Sequence, residues 1–168
     1  MKRKIWFIAL LAGVCIGAAA APEFGNPKCW KENSSGRMTI TRGAEGAVCF
    51  DVKFRPGTDF WAYPEFSLPE GIPADANYLV FEVKMVQAEP EAGYRHAFVM
   101  FGYKGGVVAW TPAPWWQLQV IDLSRHKIDR PAAKALRIGA NPNSPALRFL
   151  VRNIRFLEEM PENDAMQA

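Results

Sequence analysis

Hydrophobic and polar residues alternate with a period of two along most of the chain. In the clearest run, 47–54, Val48, Phe50, Val52 and Phe54 fall on one face. Such alternation is typical of strands that bury one face, so the pattern predicts eight or nine short strands. The other runs with this character are 38–41, 65–68, 78–86, 96–103, 107–111, 117–123, 136–139 and 147–156.

Turn-forming residues separate these runs and leave little room for helices. Examples are Arg55-Pro56-Gly57, Gly105-Gly106 and the stretch 141–145. One segment, 131–136, has helical character over a turn or two. The pattern predicts an all-β fold, a two-sheet β-sandwich of jelly-roll type. We expect it to form one domain over 22–158, with a single core. The expected core includes Val48, Phe50, Leu79, Phe81, Leu118 and Phe149.

The first 21 residues have the composition of a cleavable signal peptide. Lys2, Arg3 and Lys4 precede an apolar stretch that runs to Ile16, and small residues follow it. Cleavage near Ala20 or Ala21 fits this order. The apolar stretch is shorter than the roughly 20 residues that a membrane span requires. The sequence therefore predicts a protein that is secreted or periplasmic.

Two alternatives at the N-terminus remain open, an uncleaved anchor and lipidation at Cys15. The small residues that follow the apolar stretch favour cleavage over an anchor. Lipidation normally requires a small residue before the cysteine, and Val14 occupies that position. At the other end, the polar residues 159–168 are predicted to form a flexible tail.

Removal of the signal peptide changes both the charge and the cysteine count. The chain has a formal net charge of +3, and the signal contains three cationic residues, so the mature domain is near neutral. A neutral domain does not favour nucleic-acid binding. Cys29 and Cys49 remain, and in an exported domain two cysteines predict one disulfide. The loop of about twenty residues would stabilise the fold by roughly 3 kcal/mol, and we expect Trp30 to pack against the bridge.

Tryptophan and tyrosine residues occupy predicted loops and strand ends, where their rings can meet a ligand. The apolar C–H face of a pyranose stacks on such a ring, and its hydroxyls bond to polar neighbours. The chain is therefore predicted to bind a glycan. The candidate residues are Trp61, Tyr63, Tyr94, His96, Tyr103, Trp115 and Gln117.

Burial in the core is the alternative for each of these aromatic rings, because tryptophan is deeply buried on average. Trp116 leads directly into a predicted strand and is expected in the core. Trp61 and Trp115 lie among loop-forming residues and are expected to be exposed.

The C-terminal half resembles the galactose-binding-like jelly-roll modules, including carbohydrate-binding modules of secreted glycoside hydrolases. The segment 116–124 opens with tryptophan and ends in Asp-Leu-Ser, 136–139 carries Ile-Gly, and 149–156 matches the closing strand. The resemblance covers roughly 50–156 and implies a non-catalytic sugar-binding module. The chain departs from the pattern at Arg152, where relatives often carry an acidic residue before the asparagine.

The resemblance also raises the question of a structural calcium ion, which many of these modules bind through oxygen ligands. No clear acidic cluster in the sequence supports such an ion. Two histidines and no C-x-x-C spacing give no support for a zinc site either. No cofactor is therefore predicted.

Two further functions stay open beside sugar binding. One is an envelope module that binds a protein partner through a flat apolar patch. The other is a polysaccharide lyase, since Tyr94-Arg95-His96 contains the residue types that such enzymes use. Strand alternation would place Tyr94 and His96 on one face without Arg95.

Overall fold

The computed structural model describes residues 22–103 and 105–162, and it folds them into ten strands and four single turns of 3-10 helix. The strands are β1 (Trp30–Lys31), β2 (Gly36–Arg42), β3 (Val48–Phe54), β4 (Glu65–Ser67), β5 (Tyr78–Gln87), β6 (Tyr94–Met100), β7 (Val107–Ala109), β8 (Gln117–Asp122), β9 (Ala135–Pro142) and β10 (Ala146–Leu157). The turns are Pro27–Cys29, Ala44–Gly46, Pro90–Ala92 and Leu123–Arg125.

The strands form two antiparallel sheets of five strands each. Sheet I has the order β1-β4-β9-β6-β7, and sheet II has the order β2-β3-β10-β5-β8. Strand β10 lies at the centre of sheet II, hydrogen-bonded to β3 on one side and to β5 on the other. The predicted all-β, two-sheet sandwich is confirmed. Every predicted run falls on a strand, and only the two-residue strand β1 was missed.

The core lies between the sheets and follows the period-two pattern. Phe50, Phe81 and Phe149 of sheet II are completely buried, and so are Leu136 and Ile138 of sheet I. The Phe50 and Phe149 rings stack with centroids 4.8 Å apart. Burial of each such side chain stabilises the fold by roughly 1.5–3 kcal/mol. The sandwich is therefore held together mainly by apolar contact between the two inner faces.

The segment before β1 belongs to this core. Phe24 is buried and packs against the Phe66 ring at 4.5 Å. The indole of Trp30, 5% exposed, meets the Phe50 ring edge-on at 5.2 Å and donates from Nε1 to the Phe24 carbonyl oxygen at 2.8 Å. Residues 22–30 are therefore part of the folded domain.

The predicted disulfide is corrected by the structure, in which Cys29 and Cys49 are both free thiols. Cys49 lies between the buried residues Val48 and Phe50 of β3, so its side chain is on the outer surface of sheet II. Cys29 packs against the core instead. A disulfide needs β-carbons about 4 Å apart, and these side chains lie on opposite sides of sheet II. Trp30 accordingly packs against phenylalanine rings and not against a bridge.

Other expectations also differ from the structure. Trp116, expected in the core, is half-buried, and its ring lies against Arg152 on the outer side of sheet II. Leu118 lies opposite Glu82 in the β8–β5 pair and is half-buried on the outer face of sheet II, outside the common core. The segment 131–136 forms a turn that leads into β9 and not a helix.

Residues 1–21, which hold the predicted signal peptide and Cys15, lie outside the described part of the chain, as do 163–168 of the predicted tail. Residues 158–162 follow β10 without regular secondary structure. None of the helices within the described ranges has the length and hydrophobicity that a membrane span needs.

Candidate functional site

The outer face of sheet I, called face I below, carries both aromatic and polar side chains. Residues opposite each other in an antiparallel pair share a face, and residues two apart on a strand do so as well. Arg137 of β9 lies opposite Glu65 of β4 on one side and Met100 of β6 on the other. Face I includes Lys31, Tyr63, Glu65, His96, Phe98, Met100, Val107, Arg137 and Asn141.

A depression of about 520 Å³ lies at one end of face I. Tyr103, from the loop between β6 and β7, forms one wall, and the turn before β9 forms another. The residues that line it are Glu65, Gly102, Tyr103, Ala132, Lys134, Ala135 and Arg137.

The loop that carries Tyr103 is held by its own backbone. Phe101 is completely buried, and its amide donates to the Gly106 carbonyl oxygen at 2.9 Å. Gly105 packs so closely that a Cβ there would overlap the carbonyl oxygen of Phe101. Gly102 has φ +72°, a left-handed conformation that glycine adopts without strain. The loop therefore presents the Tyr103 ring, 91% exposed, on an anchored backbone.

The Tyr103 ring lies over an ion pair. Arg137 donates from Nε and Nη2 to the same oxygen of Glu65, Oε2, at 2.9 and 2.5 Å. The Arg137 side chain is 8% exposed, and its guanidinium carbon lies 4.3 Å from the centre of the Tyr103 ring. This is the geometry of a cation–π contact. It orients the ring from one side and leaves the other side open.

Both partners in this pair retain hydrogen-bonding capacity. Within residues 22–103 and 105–162, Glu65 Oε1 accepts no hydrogen bond and Arg137 Nη1 donates none. A carboxylate oxygen is an acceptor and a guanidinium nitrogen is a donor. A polar ligand beside Tyr103 would therefore find one acceptor, on Glu65, and one donor, on Arg137.

At the other end of face I lies a second tyrosine, Tyr63. Tyr63 is 5% exposed, and its hydroxyl donates to Oδ1 of Asn141 at 2.7 Å. Burial raises the pKa of the Tyr63 phenol. His96 lies opposite Asn141 and is exposed, with its ring parallel to that of Phe98 at 5.6 Å. Tyr63 is therefore a buried part of face I, whereas His96 is accessible to a ligand.

Tyr94 does not share this face with His96, although strand alternation predicts that it does. The register between β6 and β9 shifts between these two residues, so Tyr94 pairs with Pro142 while His96 pairs with Asn141. Because of this bulge, Tyr94 faces the space between the sheets and packs against the core. Burial raises its pKa to about 12. The structure thus separates the two side chains that the lyase hypothesis would need together.

The remaining candidates lie apart from the depression. Trp61, expected to be exposed, is half-buried, and its backbone is bonded to Ser35. Trp115 is 63% exposed but lies in the connection that leads into sheet II. Gln117 pairs with the buried Val83 and faces the interior, and its Oε1 has no partner among the described residues.

Sequence reasoning missed Arg137 and Glu65 as a unit. Each stands at an outward position of a predicted strand, and a charged side chain there is ordinarily solvated. Only the pairing of β4 with β9 shows that they meet. Within the described ranges, no three His, Cys, Asp or Glu side chains are grouped so that they could hold a metal ion.

No protein-family model and no curated protein matches the chain. Several solved structures do match it. A family 11 carbohydrate-binding module from Clostridium thermocellum, in complex with a β-1,3-1,4-mixed-linked tetrasaccharide, aligns with a TM-score of 0.57 and 18% identity over 84% of this chain and 96% of that one. A family 11 module of a cellulosomal cellulase of the same organism aligns with a TM-score of 0.56 and 18% identity, over 84% of this chain and 94% of that one.

A mutant of a family 29 carbohydrate-binding module aligns with a TM-score of 0.52 and 14% identity, over 78% of this chain and 82% of that one. Identities this low show the fold. The chain therefore has the jelly-roll β-sandwich fold of carbohydrate-binding modules, as the resemblance in its C-terminal half predicts.

Proposed function

We propose that this protein is an exported, non-catalytic carbohydrate-binding domain that takes a glycan on face I. The observation that carries the proposal is the Tyr103 ring, which is 91% exposed and fixed over the Arg137–Glu65 pair. Tyrosine side chains are intermediate in burial on average, so one that is 91% exposed is unusual. A ring held open on an anchored loop is therefore suited to a ligand.

The chemistry around Tyr103 matches a sugar ring. The C–H face of a pyranose stacks on the phenol, and its hydroxyls both donate and accept hydrogen bonds. Glu65 Oε1 can accept from one hydroxyl, and Arg137 Nη1 can donate to another. His96 and Phe98 extend the same face and give a longer glycan a second point of contact.

The solved modules with this fold provide a second line of support for the proposal. One of them was determined with a bound tetrasaccharide. That sugar is the ligand of the family 11 module, and the present chain resembles that module in fold. Together with the open ring on face I, it makes an oligosaccharide the ligand class to test first.

Export through a cleaved signal peptide is part of the proposal. Cleavage near Ala20 or Ala21 leaves Phe24 on the mature chain, where it is needed because it is 8% exposed and packed in the core. Cleavage more than a few residues further along would remove this side chain. The boundary of the fold is thus compatible with the predicted cleavage site.

The test is Tyr103→Ala in affinity electrophoresis through gels that contain neutral or acidic soluble polysaccharides. Loss of the ring should weaken binding by about 10- to 100-fold, because the stacking contact and its apolar area are lost together. The variant should keep its stability, since the ring is on the surface. Tyr103→Phe keeps the ring and should retain most of the affinity.

Trp115→Ala is the matched control, because it removes an exposed aromatic ring away from face I. Retention of full affinity by Tyr103→Ala, or equal losses in both alanine variants, would contradict the assignment of the site. A parent protein that migrates unretarded in every gel would refute glycan binding by this domain.

A further inference from the structure

The charges around the depression on face I are unequal. Among its lining residues, Lys134 and Arg137 are cationic and Glu65 is anionic. Arg137 and Glu65 neutralise each other through their two hydrogen bonds. One positive charge, that of Lys134, is left over.

Lys134 is oriented by hydrogen bonds but forms no ion pair with any described residue. Its backbone carbonyl oxygen accepts from the Leu68 amide at 2.9 Å, and its Nζ donates to the Pro69 carbonyl oxygen at 2.9 Å. An ammonium group has three donors, so two remain. No carboxylate within residues 22–103 and 105–162 forms an ion pair with it. The ammonium group is thus directed by one bond and free to take an anion.

A second unpaired cation lies on the same side of the sheet. Lys31 is exposed and opposite Glu65 in the β1–β4 pair, with no ion-pair partner in the described part of the chain. The two lysines together place an excess of positive charge on this end of face I, although the mature chain as a whole is near neutral. Local charge of one sign attracts ligands of the opposite sign.

We propose that face I selects acidic glycans, with a uronate carboxylate on Lys134 and the sugar ring on Tyr103. This inference rests on the proposed function and adds the class of sugar. Both residues line the same depression. In a uronic acid the carboxylate projects from the edge of the pyranose ring, so a stacked ring can direct it to a cation at the wall.

The test compares gels that contain polygalacturonate, a polymer of uronic acid, with gels that contain neutral mixed-linkage glucan. Retardation should be stronger with polygalacturonate. Lys134→Gln should weaken that interaction by about tenfold, the loss expected for a hydrogen bond to a charged group. Because neutral glucan has no carboxylate, any loss of binding to it should be clearly smaller. Lys134→Arg should retain most of the affinity.

Lys53→Gln is the matched control, because it removes an exposed charge from β3 in the other sheet. Added salt should weaken binding to polygalacturonate and leave neutral glucan unaffected. Preference for neutral glucan, or equal losses in Lys134→Gln and Lys53→Gln, would overturn the acidic class while leaving glycan binding intact. The absence of retardation in every gel would overturn the proposed function and this inference together.

Discussion

The outer faces of the two sheets carry the same types of residue in a similar arrangement, but these residues form different numbers of hydrogen bonds. On face I, Arg137 pairs with Glu65 and lies 4.3 Å from the centre of the Tyr103 ring. On face II, the outer face of sheet II, Arg152 pairs with Glu82 and lies 4.2 Å from the centre of the Trp116 ring. Each face thus combines an arginine, a glutamate from a neighbouring strand and an aromatic ring.

The difference lies in how many groups are already occupied. On face II, Arg152 bonds to Glu82 and also to Glu45, so Nε, Nη1 and Nη2 are all engaged. The second oxygen of Glu82 accepts from Asn153 Nδ2 at 2.6 Å, and Trp116 is half-buried. On face I, no described residue occupies Glu65 Oε1, Arg137 Nη1 or the second side of the Tyr103 ring. A structural cluster and a proposed binding site can therefore share residue types and differ in what remains unpaired.

The largest contrast in stability is expected between a buried and an exposed ion pair. The Arg137 and Glu65 side chains are 8% and 24% exposed, so Arg137→Met should lower the free energy of unfolding by about 2–3 kcal/mol. Arg148 and Asp51 on face II are 62% and 35% exposed, and Arg148→Met should cost no more than about 1 kcal/mol. Urea denaturation measures both. Equal losses would show that the pair on face I is no more structural than a surface pair.

Removal of the ring on face II should affect stability and not binding. Trp116→Ala loses the contact with Arg152 and part of its apolar burial, a loss of about 1–2 kcal/mol. Trp115→Ala, on the neighbouring exposed residue, should change the stability by less than about 0.5 kcal/mol. Affinity electrophoresis of the folded Trp116→Ala protein is the critical measurement. If glycan binding disappears there and persists in Tyr103→Ala, the roles of the two faces are reversed.

Alkaline pH should weaken the fold through sheet I, where Tyr63 and Tyr94 have raised pKa values. The Tyr94 phenol ionises at about 12 in the fold and at 10.0 when unperturbed. The unfolded chain therefore loses this proton first, and stability present below pH 10 falls as the pH rises towards 12. Denaturation midpoints measured across this range should decline less steeply for Tyr94→Phe. An unchanged slope in that variant would exclude Tyr94 as a source of the decline.

The strands could be predicted from sequence because burial on one face imposes a period of two. The β3 pattern also contains the information that corrects the disulfide. If Val48 and Phe50 face the core, Cys49 between them must face outward. The prediction of a bridge rested on the compartment and on the number of cysteines, and the alternation of the strand was the better guide.

The site could be predicted only in part, because its members meet through long-range pairing. Glu65 and Arg137 are 72 residues apart and come together through the β4–β9 register. The bulge that turns Tyr94 inward has no signal in the alternation of β6. Tyr103 could be recognised as a ring in a turn, whereas the arginine beneath it could not.

The central position of β10 has a consequence for the order of folding. It is the last strand of the described chain, yet it joins β3 and β5, whose residues come between about 60 and 100 positions earlier. Until Ala146–Leu157 is available, sheet II consists of two separate halves, β2-β3 and β5-β8. Contacts this distant in sequence make folding slow. If the chain is exported N-terminus first, as proposed, it would therefore close its sandwich only as the final strand arrives.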